Sequence, residues 1–266
     1  MAGLLYVLYG KKDGTFRKAE VLKGTDGEPL ILPGKGEETM TDRICTRPFA
    51  VDWDGDGKLD LVVGNFAGTF FWFKGEGKGK FAPKAERLDV GKEPLKIPGV
   101  HSDPFVIDWD GDGDLDIVSG SSNGGVYWAE NTAGKGKPPV LKQCKELIPP
   151  GKMSGGASIV REEDLKRPNY GNRVWVADVN GDGKLDLLVG DSVTLVAPAK
   201  GLTEEEFKKR YAAWESSLRD LQKELGSKPD EEKQKKLSQE FQKLYGKRTE
   251  FMKQEMTGFV WLYLQK

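Results

Sequence analysis

Residues 52–64 read DWDGDGKLDLVVG, and the pattern returns as DWDGDGDLDIVSG at 108–120 and as DVNGDGKLDLLVG at 178–190. The copies begin 56 and 70 residues apart. In the first, Asp52, Asp54, Asp56 and Asp60 stand at positions 1, 3, 5 and 9, and the backbone carbonyl of Lys58 at position 7 offers a further oxygen. Gly55 and Gly57 let the chain curl tightly enough to aim these groups inward. The second copy offers Asp108, Asp110, Asp112, Asp114 and Asp116, and the third Asp178, Asn180, Asp182, Lys184 and Asp186. So many hard oxygen donors suit Ca2+. Magnesium keeps an octahedral, partly hydrated shell, and transition metals favour histidine or thiolate. The expectation is about three calcium sites, the third weaker because Asn180 carries no charge.

An empty loop of this kind sets carboxylates against one another at short range, so metal binding is linked to folding. By analogy with extracellular calcium modules the affinity is expected around 10⁻⁴ to 10⁻³ M. The loops are not EF-hands, because position 12, where that motif needs a bidentate glutamate, holds Val63, Ser119 and Val189. Plain hairpin turns are the simpler reading of one isolated Asp-Gly cluster, and three copies in one register weigh against it.

Outward from each loop, an apolar run precedes (48–51, 104–107, 174–177) and another follows (59–63, 115–118, 185–189), so the loop joins two strands. An aromatic strand and a plainer one come next, as in 68–73 and 84–88. Four antiparallel strands in 50 to 60 residues is the size of a propeller blade. A β-sandwich is the alternative, but it does not repeat one loop at one place. The reading is an all-β propeller of four-stranded blades whose ring is incomplete in this chain. Residues 1–24 supply strands three and four of a partial blade, with runs at 4–9 and 16–22. Residues 44–95 and 100–148 form whole blades, and 171–200 with 257–266 the last one, with three strands. Two chains completing one ring, or repeats upstream, would resolve the count. Residues 201–256 read as an inserted antiparallel helical hairpin: Thr203 and Glu206 make a capping box, Gly226 and Pro229 mark the break, and Phe207, Tyr211, Trp214, Leu218, Leu221 and Leu225 recur at spacings of four and three.

The 41 basic and 42 acidic side chains leave a formal charge of −1, which gives no support to a nucleic-acid partner. No apolar stretch nears the roughly 20 residues of a membrane span, so no membrane insertion is expected. A single histidine and two cysteines at non-equivalent repeat positions, Cys45 and Cys144, exclude the usual zinc sites and do not suggest a disulfide. The Gly-Lys pairs lack the Ser or Thr of a P-loop, and there is no GxSxG elbow. Trp53, Trp72, Trp109, Trp128, Trp175 and Trp261 sit at repeat positions and are expected mostly in the core, with Trp214 in the helical seam.

The DxDGDGxxD pattern followed by an apolar strand and glycine resembles the FG-GAP/VCBS repeat of integrin-alpha-type β-propellers. A Glu/Lys-rich helical hairpin before the closing GFVWLYL strand further resembles secreted planctomycete-type bacterial members of that family. The resemblance implies an extracellular, cell-surface or periplasmic location and a non-catalytic binding or scaffold role toward protein or carbohydrate. The alternative is a calcium-dependent polysaccharide-degrading enzyme, a lyase or glycosidase, on the same fold. First strands lie innermost in a propeller, so the aligned residues five before each first Asp (Arg47, Asp103, Arg173), with His101 seven before its own, are the candidate ligand-binding residues at a channel mouth.

Overall fold

Fifteen of the thirty-nine loop residues, five in each copy, are glycine or position-defining carboxylates whose turn chemistry brings two apolar strands back on themselves, and the register that results is the same three times.

 The count should read eighteen, six in each copy: Asp at positions 1, 5 and 9 and Gly at positions 4, 6 and 13. The computed structural model describes residues 3–33, 40–151, 160–227 and 230–266. The chain divides into two compact units, one of residues 1–151, 167–192 and 259–266 and the other of 152–166 and 193–258.

In the larger unit, β1 (Tyr6–Val7) and β2 (Glu20–Val21) pair near the start of the chain. They are shorter than the runs at 4–9 and 16–22 suggest, because isolated bridges, Gly10 to Phe16 and Lys23 to Pro29, replace a continuous ladder. Then come β3 (Arg47–Val51), β4 (Asp60–Gly64), β5 (Phe70–Phe73) and β6 (Glu86–Arg87), which form one antiparallel sheet in that order. A second sheet repeats the order with β7 (Asp103–Ile107), β8 (Asp116–Gly120), β9 (Val126–Ala129) and β10 (Lys145–Ile148). The third contains β11 (Tyr170–Ala177) and β12 (Asp186–Pro198), with two later strands described below. Registers match across the three: Arg47 opposes Gly64, Asp103 opposes Gly120 and Arg173 opposes Gly190. Each Asp-rich loop is therefore the connection between the first two strands of a propeller-type blade. Among the described residues the three blades do not close into a ring.

Period-two alternation aims the strands' side chains at neighbouring blades. Val62, Phe70 and Trp53 of the first blade share a core with Val106, Ile117, Tyr127 and Ala129 of the second. Val118, Val126 and Ile148 of the second share another with Val176, Leu187 and Val189 of the third. Backbone bonds pin each junction in the same way. His101 N–H donates to the Phe66 carbonyl and Ser102 N–H to that of Asn65; Gly171 and Asn172 donate to Ser122 and Ser121. Approach is so close at these pins that a Cβ on Gly64 would lie 2.3 Å from the Ser102 carbonyl oxygen, and one on Gly120 2.3 Å from that of Asn172. At Gly190 the same position meets nothing within 4 Å.

In the smaller unit, α1 (Glu204–Gly226) starts at a capping box in which the Thr203 hydroxyl accepts from Glu206 N–H and the Glu206 carboxylate accepts from Thr203 N–H. Its buried stripe is Phe207, Tyr211, Trp214 and Leu218, and α2 (Glu231–Gly246) turns Leu237 inward. Trp214 Nε1 donates to the Leu244 carbonyl at 2.9 Å, which ties the two helices together. Residues 252–257 belong, by sequence pattern, to the tail of the helical insert. They form a strand instead, β13 (Met252–Thr257), paired with Val193–Pro198 of β12. Only Met252 of β13 is buried, so no apolar alternation betrays it. Finally β14 (Val260–Tyr263) returns to the larger unit and pairs with Leu187–Gly190 of β12. No helix among the described residues is long and apolar enough to cross a membrane.

Candidate metal loops and the first-strand corner

The three loops are built on two aspartates whose roles are the same in every copy. The position-1 carboxylate accepts from the position-6 glycine N–H: Asp52 from Gly57 (2.9 Å), Asp108 from Gly113 (3.0 Å) and Asp178 from Gly183 (2.9 Å). These glycines have φ of 82°, 95° and 84°, the left-handed region that a Cβ disfavours. The position-9 carboxylates, Asp60, Asp116 and Asp186, are wholly buried, each at 0% exposure. Each takes the position-2 N–H on one oxygen (Trp53, Trp109, Val179) and an N–H beyond the third strand on the other (Gly75, Asn131, Gln265). Position 9 thus locks the loop to its blade.

Carboxylate oxygens of Asp52, Asp54 and Asp60 lie within 4.8 Å of one another, as do those of Asp108, Asp110 and Asp116. Asp52 Oδ1 is buried without a hydrogen-bond donor, and so is Asp114 Oδ1 in the second loop. Buried anionic oxygens left this way fit a cation. The position-5 side chains do something else: Asp56 Oδ1 accepts from Lys58 N–H, Asp112 Oδ1 from Asp114 N–H and Asp182 Oδ1 from Lys184 N–H, all within their own loops. In the third loop Asn180 Nδ2 donates to Asp182 Oδ2 at 3.1 Å. No triad of acidic side chains converges there among the described residues.

Electrostatics separate the loops further. Burial pushes the Asp116 carboxyl up to about 6 and raises those of Asp60 and Asp114. In the first loop a lysine ammonium intervenes. Lys74 Nζ contacts Asp54 and lies 3.3 Å from Asp56, which also takes Lys58 Nζ at 3.0 Å. Hydrogen bonding to Lys58 lowers the Asp56 carboxyl, and Asp54 raises the Lys74 ammonium. Lys74 lies outside the repeat motif, 20 residues from Asp54 in sequence, and no sequence signal marks it.

The second set of candidates meets at one corner. Asp103 receives both arginines, Arg173 Nε at 3.1 Å and Arg47 Nε at 3.8 Å. Arg47 also donates to the His101 carbonyl at 3.4 Å. The His101 ring contacts the Ser122 hydroxyl through Nδ1 and packs edge-on to Phe66. Burial, then Arg47 and Arg173, hold the imidazole below its ordinary range, while burial outweighs both arginines and raises Asp103. Cys45, His101 and Gly171, equivalent by alignment, have φ of 55°, 60° and 66°; two bulky residues hold a left-handed backbone where the third copy uses glycine. Two residues further along the same strands, Phe49, Phe105 and Trp175 form an aromatic row, with centroids 4.9 and 5.2 Å apart. Trp175 is not core, as its repeat position implies, but 62% exposed, because no described blade covers that face. Both cysteines are free thiols.

No curated protein matches the chain. The FG-GAP-like repeat family matches it twice, over residues 52–119 and 108–189. Those matches together span 52–189, which is 138 of the 266 residues, and they include all three Asp-rich loops. With its loops, registers and antiparallel blades alike from copy to copy, the chain belongs to the FG-GAP-like repeat family.

Proposed function

We propose that this chain is a non-catalytic binding or scaffold module that works outside the cytoplasm, its propeller-type blades stiffened by calcium and its surface offered to a protein or carbohydrate. The observation that carries the reading is the buried, donor-less Asp52 Oδ1 beside Asp54 and Asp60, in a loop whose frame recurs in every blade. Asp52, Asp54 and Asp60 would hold one ion, and Asp108, Asp110 and Asp116 a second, with Asp114 close by. The third loop, with Asn180, would bind more weakly. Calcium would supply fixed positive charge that cancels the carboxylates' repulsion. Affinities of about 10⁻⁴ to 10⁻³ M match extracellular rather than cytosolic calcium levels. The test is thermal melting across a calcium titration. A clear rise by millimolar calcium, blunted in Asp52→Ala, supports the reading, and an unchanged melting temperature refutes the calcium role.

A further inference from the structure

We propose that the corner formed by Arg47, Asp103 and Arg173 binds the carboxylate of an acidic sugar, with the exposed indole of Trp175 taking the face of the sugar ring. The inference rests on the binding-module reading and adds the ligand class. Two guanidiniums share the single carboxylate of Asp103, so one positive charge is left over. Arg173 keeps 45% of its side chain exposed and Arg47 22%, and each guanidinium has donors beyond those that Asp103 and the backbone use. Burial and the nearby Arg173 both depress the Arg47 guanidinium, the condition that an incoming anion relieves.

Trp175 supplies the second half of the site. It lies two residues after Arg173, so both side chains leave the same face of β11, about 7 Å apart along the strand. A uronic acid carries its carboxylate on the ring, and that spacing lets one residue bind the charge while the other covers the pyranose. Phe49 and Phe105 stand at the equivalent positions and are partly covered by the next blade. Only in the third copy is the aromatic ring open to solvent.

The experiment titrates the whole chain, in saturating calcium, with tri-galacturonate and with neutral tri-galactose, reading quenching of tryptophan fluorescence and calorimetric heat. The expected result is binding of the acidic sugar at least tenfold tighter than of the neutral one, reduced at least tenfold in Arg173→Gln and in Trp175→Ala, with the calcium-dependent melting rise intact in both variants. Retained binding in Arg173→Gln overturns the proposal. So does binding that both variants keep and chelator abolishes, which places the uronate on loop calcium. Equal affinity for N-acetyl-aspartate and the sugar acid overturns it in favour of a peptide carboxylate. A variant that loses the melting rise is replaced by Arg47→Gln, read by the same criteria. Absence of the melting rise in the parent chain refutes the calcium reading and leaves the sugar comparison to be judged by itself.

Discussion

Replacing Asp116 by asparagine separates the metal from the hydrogen bonds around it. Without calcium, two effects oppose. The buried carboxyl titrates at about 6 against a model value of 3.8, so keeping it charged at pH 7 costs the fold on the order of 3 kcal/mol, which the amide recovers. Against that, the carboxylate takes two N–H groups, from Trp109 at 3.1 Å and Asn131 at 2.7 Å. The amide has one oxygen, and orphaning the other N–H costs about 1–3 kcal/mol. The variant should therefore melt close to the parent in chelator. With 10 mM calcium and an affinity of about 10⁻⁴ to 10⁻³ M, one site contributes roughly 1.4–2.7 kcal/mol, or about 3–11 °C. Asp116→Asn should lose that increment. Melting followed by circular dichroism, with chelator and with calcium, reads both numbers. An undiminished calcium increment in the variant would refute the assignment of Asp116 to the metal.

The same carboxyl sets a pH dependence. Its folded pKa lies above its unfolded one, so the folded chain holds the proton more tightly, and the penalty of the charged form grows as pH rises from about 4 to above 6. Metal-free parent should lose stability relative to Asp116→Asn over that window, measured by urea unfolding at each pH. Lys74→Met should raise calcium affinity at the first loop by up to about fivefold, since the ammonium no longer competes for Asp54 and Asp56; calorimetry checks it, and unchanged affinity rules the competition out. Gly64→Ala and Gly120→Ala should each cost about 1–3 kcal/mol or more by driving a Cβ into a carbonyl, while Gly190→Ala should be within about 0.5 kcal/mol of the parent. Equal losses at all three positions would contradict the blade-junction explanation.

The loops and their flanking strands were legible in sequence because their causes are local: glycine at positive φ, carboxylates at fixed spacing and apolar runs on either side. The stripe from Phe207 to Leu218 was legible for the same reason, since helical spacing is written in consecutive residues. What escaped depends on distant partners. Asp56, Asp112 and Asp182 look like ligands by spacing, yet their carboxylates turn to N–H groups two residues on, a competition that the motif alone does not display. Trp175 reads as core because its repeat position is core elsewhere, and its exposure follows from what covers that face. The pairing of β13 rests on backbone bonds among polar residues, which leave no pattern to find.

The repeated junction also governs how the larger unit comes apart. Each blade touches only its neighbours, through the same pair of backbone bonds and the same kind of apolar contact, so the unit behaves as a short linear array whose cooperativity passes from junction to junction. The second blade has a junction on each face. The third has one, and its outward row of Trp175, Leu188 and Leu262 contributes no neighbour contact to hold it. Opening should begin at that edge and reach β7 to β10 last, which makes amide exchange slowest in the middle of the array and fastest on the side where the exposed indole stands.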